Sequence, residues 1–178
     1  MHRLFVALRP PTSLRLACLA AMEDGPPGWA WQDEEQLHLT LRYIGDVDRP
    51  VAEDVAAALG AIHAPAVELA LAGVGWFDHG PRGALFARVA PVEPLAALHT
   101  KLDRAMVRAG LEPERRAFLP HITLARRRSG AVDPGGWLER NAALASGPQR
   151  VASMILFESH LGRHGSAYET VASFPLAG

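Results

Sequence analysis

Alternating and helically spaced apolar residues divide the chain into a recurring order of strands and helices. Arg3-Leu4-Phe5-Val6-Ala7-Leu8 reads as a buried strand, stopped by Pro10-Pro11. From Thr12 to Glu23 the apolar positions Leu14, Ala17, Cys18, Ala21 and Met22 follow helical spacing, and Gly25-Pro26-Pro27-Gly28 ends the run. Gln36 to Ile44 alternates as a strand that stops at Gly45-Asp46. Pro50 to Ile62 reads as a helix with Val51, Val55, Leu59 and Ile62 on one face. Val67 to Phe77 and Ala84 to Val89 form a predicted hairpin around the turn-rich Asp78-His79-Gly80-Pro81-Arg82-Gly83. The longest predicted helix, Val92 to Ala109, turns Leu95, Leu98, Leu102, Met106 and Ala109 toward a core and stops at Gly110. Ala117 to Arg126 is a further strand and Asp133 to Leu144 a less regular helix. Arg150 to Leu161 with Ala167 to Phe174 make a closing hairpin around Gly162-Arg163-His164-Gly165.

This alternation gives an α+β or α/β fold. Because similar strand, helix and hairpin elements recur, two similar lobes within one domain, residues 1–178, are expected. A chain of 178 residues can bury about two thirds of its unfolded surface, so it needs neither disulfides nor a structural metal to fold. The net charge of -1 argues against wrapping long nucleic acid, but leaves room for a small or end-bound substrate beside a local basic cluster. The one cysteine, Cys18, reads as a core thiol. No apolar stretch reaches the ~20 residues that cross a bilayer. With the first strand starting at residue 3 there is no room for a signal peptide, and a cytoplasmic, monomeric protein is expected.

Two tetrads stand out: His38-Leu39-Thr40-Leu41 and His121-Ile122-Thr123-Leu124, on corresponding strands. Strand side chains alternate between faces, so each histidine shares a face with its threonine while the aliphatics point to the core. Eight histidines and five threonines yield about 0.2 His-x-Thr spacings by chance, so two copies on comparable strands call for a shared purpose. If the strands adjoin, two imidazoles and two hydroxyls meet in one cleft. One imidazole can take a proton from a nucleophile while the other gives one to a leaving oxygen, since an unperturbed pKa of ~6.5 suits both roles. The threonine hydroxyls can donate to non-bridging phosphate oxygens. This chemistry calls for no metal and no cofactor, and no His, Cys, Asp or Glu spacing resembles a zinc site.

These residues resemble the 2H phosphoesterase superfamily, and within it the RNA 2′,3′-cyclic phosphodiesterase (2′-5′ RNA ligase, LigT/ThpR) family. Arg3 to Leu8 is similar to the family's opening strand. His38-Leu39-Thr40-Leu41-Arg42-Tyr43-Ile44-Gly45 resembles its first motif and Pro120-His121-Ile122-Thr123-Leu124-Ala125-Arg126 its second. Phe157-Glu158-Ser159-His160-Leu161, followed by Gly165 and Tyr168, looks like its closing hairpin. The resemblance implies a bilobal α+β fold, two lobes of antiparallel sheet with outer helices around a central cleft, one tetrad from each lobe. It implies hydrolysis of a terminal RNA 2′,3′-cyclic phosphate to a 2′-phosphate, with His121 as proton acceptor and His38 as proton donor. It also implies ATP-independent 2′-5′ joining of RNA, and no P-loop or nucleotidyl-transfer lysine motif is present.

Around the tetrads, Arg126 at the end of its strand suits phosphate, and the resemblance gives it RNA contact. Arg42 shares the parity of His38 and Thr40 and is a second candidate for substrate binding, whereas Tyr43, of opposite parity, is expected in the core. Phe5, Trp31 and Phe118 are candidates for base stacking. Arg127 and Arg128 read as exposed charge that extends a basic lip. His63 and His99 are expected on helix surfaces, and His160 on the last strand reads as structural. Two further functions stay open: the same chemistry on a small cyclic nucleotide or ADP-ribose cyclic phosphate, and an RNA-binding module without catalysis.

Overall fold

The computed structural model describes residues 1–177. Among them lie β1 (His2–Leu8), α1 (Thr12–Met22), β2 (Trp29–Trp31), β3 (Leu39–Val47), α2 (Arg49–Gly60), β4 (Val67–Phe77), β5 (Ala84–Ala90), α3 (Val92–Arg108), β6 (His121–Arg127), α4 (Gly135–Arg140), β7 (Ala145–Val151), β8 (Ser153–Gly162) and β9 (Gly165–Pro175). Every strand pairing is antiparallel, in one sheet ordered β7-β4-β5-β6-β3-β1-β8-β9, with β2 added alongside β6.

That order contains two four-stranded halves, β9-β8-β1-β3 and β6-β5-β4-β7, joined where β3 meets β6. In one half β1 and α1 lead into β3 and α2 follows; in the other β5 and α3 lead into β6 and α4 follows. The expected α+β architecture of two similar lobes is therefore present as two halves of one curled sheet. A single residue, Ala152, connects β7 at one margin to β8 near the other. Laid flat, those strands would stand about 29 Å apart, a distance one residue cannot span. The sheet has to curl.

Helical faces cover one side of it. Leu4, Val6 and Leu8 of β1, Leu39 and Leu41 of β3, Leu85, Ala87 and Val89 of β5, and Ile122 and Leu124 of β6 share one core with Leu14, Val55, Leu59, Leu95, Leu98, Leu102 and Met106 from the helices. Phe5, Ala7 and Phe157 make a second, small cluster on the opposite face. Being buried on both sides, β1 reads as an unbroken apolar run. The first-turn proline of α2 and the Asp48 carboxylate, which accepts from the Val51 amide at 3.1 Å, start that helix directly after β3.

Two irregularities decide which side chains reach the open face. On β3, Thr40 faces Ala7 but Arg42 faces Val6, so Leu41 is an extra residue, a β-bulge. On β6, Thr123 faces Phe86 but Ala125 faces Leu85, so Leu124 is an extra residue too. Both tetrads thus carry a bulge at their last leucine. Past each bulge the parity inverts.

Arg42 is the residue this moves most. Simple alternation sends it into the cleft, but the bulge turns it to the helical side, where it is 7% exposed. There its guanidinium donates to Asp103 of α3 at 2.8 Å, to the Tyr43 carbonyl at 2.6 Å and to the Glu112 carbonyl. Arg42 is an internal fastener, and its expected role in substrate binding is withdrawn. His99, expected at a helix surface, instead bonds the Leu41 carbonyl at 2.7 Å and stacks on Phe118 at 4.3 Å. Together His99 and Asp103 pin α3 to the β3 bulge.

Other differences have local causes. The stretch 150–161 is two strands because the chain changes halves at Ala152. Pro134, Gly135 and Gly136 delay α4, which ends at Arg140 with Trp137 buried and its indole donating to the Ala21 carbonyl at 2.8 Å. Trp29–Trp31, too short to show a period, pairs with β6. Asp103→Ala would leave a buried guanidinium without its carboxylate, and a loss of about 3–5 kcal/mol in denaturant-unfolding stability is expected. A loss below about 1 kcal/mol, the scale of an exposed ion pair, would contradict the fastener role.

Candidate active site

The two half-sheets pair through one bridge, Leu39 opposite Ile122. In antiparallel pairing, that register directs His38 toward Thr123 and Thr40 toward His121, all on the face away from the core. All four tetrad side chains of interest are partly exposed while their aliphatic neighbours are buried. The expected meeting of two His–Thr pairs in one cleft is what the sheet produces.

Each imidazole is anchored in the same way. His38 Nδ1 lies 2.7 Å from the Gln36 carbonyl and His121 Nδ1 lies 2.6 Å from the Leu119 carbonyl, each two residues upstream. A carbonyl can only accept, so Nδ1 carries the hydrogen and Nε2 is left as the working nitrogen. Gln36 is itself fixed by a reciprocal cap: its amide donates to Asp33 at 2.9 Å and its side-chain oxygen accepts from the Asp33 amide at 2.9 Å. Its side-chain nitrogen donates to the Ser166 carbonyl at 2.7 Å, tying the β8–β9 hairpin to the same support.

Aromatic rings back both imidazoles. Phe5 lies 4.9 Å from the His38 ring centroid, and Tyr168 meets His38 edge-on at 5.0 Å. Phe77 and Phe86 meet His121 at 5.2 and 5.3 Å. A Cβ at Gly75 would fall 2.7 Å from the Phe86 ring, so the bare backbone there leaves room for the ring behind His121. Phe77, Phe86, Phe157 and Tyr168 had no sequence signal for this duty. Their strands read only as apolar, and which rings reach a histidine depends on register between distant strands.

The electrostatics favour an anion. Burial pushes the His38 pKa down to about 4, opposed by the Gln36 carbonyl and helped by the positive charges of Arg126 and Arg9 and, when it is protonated, His121. His121 is lowered as well, by burial first and by Arg126, against the Leu119 carbonyl. Both imidazoles are neutral in the free protein at pH 7. Arg126 senses both because the Leu124 bulge brings it to the histidine face; it is exposed, and among the described residues it makes no ion pair. Arg88 lies across from His121 on β5, and one step beyond the Leu8–Leu39 pair Arg9 lies across from His38.

The remaining candidates are structural. Phe5 is buried beneath His38, Trp31 packs on Trp137 at 5.7 Å, and Phe118 stacks on His99. Arg127 is held between the Trp29 and Trp76 rings and donates to Asp78 at 2.8 Å. His160 pairs with Glu169 at 3.0 Å. No three His, Cys, Asp or Glu side chains among the described residues cluster as a metal site requires. No described helix is long and apolar enough to cross a membrane.

Two antiparallel half-sheets, each delivering a His-x-Thr strand to a shared open face, define the 2H phosphoesterase fold. A family model of the 2′-5′ RNA ligase superfamily matches residues 11–145. The chain is 30% identical over 143 residues to the RNA 2′,3′-cyclic phosphodiesterase of Aeropyrum pernix, covering 78% of this chain and 81% of that protein. It is 32% identical over 155 residues to the RNA 2′,3′-cyclic phosphodiesterase of Geobacillus stearothermophilus, covering 85% of this chain and about half, 49%, of that relative's length. E. coli LigT in its apo form superimposes with a TM-score of 0.77 at 25% identity over 99% of this chain and 98% of that one. The chain belongs to the 2′-5′ RNA ligase superfamily.

NMR titration of the ring nitrogens should find His38 and His121 both titrating below 6.5, His38 near 4, with the hydrogen on Nδ1. Between those pH values the unfolded chain holds the His38 proton and the folded chain does not, so stability falls as pH drops from 6.5 toward about 4. A His38 ring titrating at or above 6.5 would contradict this environment.

Proposed function

We propose that this protein is an RNA 2′,3′-cyclic phosphodiesterase that opens a terminal cyclic phosphate to a 2′-phosphate without a metal ion. The observation that carries the reading is the duplicated anchor: each imidazole tied through Nδ1 to the carbonyl two residues upstream, with Nε2 left free beside a threonine hydroxyl and an unpaired arginine. The names of the Aeropyrum pernix and Geobacillus stearothermophilus relatives support it.

In this mechanism His121 Nε2 takes a proton from water as the water oxygen attacks phosphorus. The P–O3′ bond breaks, and His38 delivers its Nε2 proton to O3′, leaving the phosphate on O2′. Thr40, Thr123 and Arg126 donate to the non-bridging oxygens, where negative charge gathers. The division of labour follows the pKa order: His38, the more depressed, is the stronger acid once charged, and His121 is the stronger base. His38 takes its proton from solvent as the substrate binds, because an anionic phosphate raises the imidazole that it touches. Joining of 2′-5′ ends is the same step with the 5′-hydroxyl of a second RNA end in place of water: that oxygen attacks phosphorus, O3′ again leaves, and no ATP is needed. Arg126, with the exposed Arg128 near it, favours an RNA end over an isolated small cyclic nucleotide.

With EDTA present, the protein should convert an oligonucleotide 2′,3′-cyclic phosphate to the 2′-phosphate, and His38→Ala or His121→Ala should each lower turnover by roughly 10²–10⁴. Complete loss on chelation would overturn the metal-free mechanism, a 3′-phosphate product the assigned direction, and near-normal turnover in either variant the two-histidine scheme.

A further inference from the structure

An arginine flanks each of the two imidazoles, but only one of these arginines is free. The sheet order runs β5-β6-β3-β1, so β5 and β1 are the strands outside the two histidine strands. On β5 Arg88 is the direct cross-strand partner of His121, and beyond the Leu8–Leu39 pair Arg9 takes the same place beside His38. Direct partners project from one face with Cβ atoms about 4.5–5.5 Å apart. Each arginine therefore stands on the outer side of its imidazole, away from the other half of the sheet.

Arg9 is neutralised: the Glu35 carboxylate holds its guanidinium at 2.8 Å, and the Glu35 carbonyl accepts from it at 3.4 Å. Arg88 is exposed and, among the described residues, makes no ion pair. It nevertheless has a seat. Its Nε donates to the Val74 carbonyl at 3.3 Å, and its guanidinium lies over the Phe86 ring, 5.5 Å from the centroid. A Cβ at Gly75 would fall 2.8 Å from its Nη2, so the bare backbone of β4 makes room for this side chain too. A cation held in place beside the cleft without a counter-ion suits an anionic group of a ligand.

The direction of attack says which ligand. Displacement at phosphorus puts the attacking and leaving oxygens roughly in line, on opposite sides. With O3′ leaving on the His38 side, the attacking oxygen enters on the His121 side, next to β5. Water brings nothing else to that side. The 5′-hydroxyl of a second RNA end brings a nucleoside and, on its 3′ oxygen, a phosphate. The nucleoside that owns O3′ meets the neutralised Arg9–Glu35 pair instead.

We propose that Arg88 binds the first phosphate of the attacking RNA end, so that β5 is the docking strand for the second substrate of 2′-5′ joining. The site rests on the cyclic phosphodiesterase reading and on its division of labour between His121 and His38. In the step it serves, the 5′ oxygen bonds to phosphorus and gives its proton to His121 Nε2. The P–O3′ bond breaks, and O3′ takes the proton of His38.

The test uses an oligonucleotide ending in a 2′,3′-cyclic phosphate as donor. The acceptors are the dinucleotide ApA, with a free 5′-hydroxyl, and its methylphosphonate analogue, which has a similar shape without the charge. The wild type should join ApA about 10- to 100-fold more efficiently than the neutral analogue, the range for one hydrogen-bonded contact to a charged group. Arg88→Ala should bring the two acceptors close to equality, and Arg88→Lys, which keeps the charge, should retain part of the preference. Equal use of both acceptors by the wild type, or a preference that survives Arg88→Ala, would overturn the site. So would a wild type that hydrolyses the donor and joins neither acceptor. A parallel fall of hydrolysis and joining in Arg88→Ala would put the donor strand on Arg88 and overturn it as well. A wild type that leaves the cyclic phosphate unopened would overturn the cyclic phosphodiesterase reading itself, a result separable from the others.

Discussion

One antiparallel bridge, Leu39 to Ile122, is the contact on which the rest of the site depends. Both residues are buried aliphatics at the middle of a His-x-Thr triplet, and their pairing turns the flanking histidine and threonine of each strand to the same side. A slip of one residue in either strand would send its imidazole into the helical core and its two aliphatics into the cleft. Such a slip would bury one imidazole and expose two aliphatic chains, a loss of about 1.5–3 kcal/mol for each chain. The apolar positions around the bridge hold the chemistry in place.

The bulges add a second layer of control. By inverting parity after Leu41 and Leu124, they divert Arg42 into a buried fastening with Asp103 and bring Arg126 and Tyr43 to the open face. The helix that follows β5 reads the first bulge directly, with His99 on the Leu41 carbonyl and Asp103 on Arg42. A positive cleft with two neutral imidazoles results: nearby arginines and burial act together to keep His38 and His121 uncharged until an anion arrives. The duplicated backbone supplies symmetry to the acid–base pair, and the unlike residues five beyond each histidine, Tyr43 and Arg126, break it.

Much of this was legible in the amino-acid order because burial imposes periodicity. The strand of Arg3 to Leu8, the helix from Val92, the hairpin around Gly80 and the two tetrads all follow from spacing alone, and the structure has each of them. What escaped depends on partners far along the chain. A bulge is a mismatch between two strands and leaves no mark on either, so Arg42 was expected in the cleft and Tyr43 in the core. The break at Ala152 is equally silent, since Arg150 to Leu161 is apolar enough for one strand until the sheet's curl separates it into two. The aromatic rings behind His38 and His121 come from five different strands, and nothing local distinguishes them from other core residues.

The central claim is that both imidazoles act on one phosphate. Its most direct test is the titration of the histidine rings by NMR with and without adenosine 2′-phosphate, the expected product. The account predicts that His38 and His121 both titrate at higher pH in the complex while His63 and His160 stay where they were. A complex in which only one of the two rings moves would contradict it.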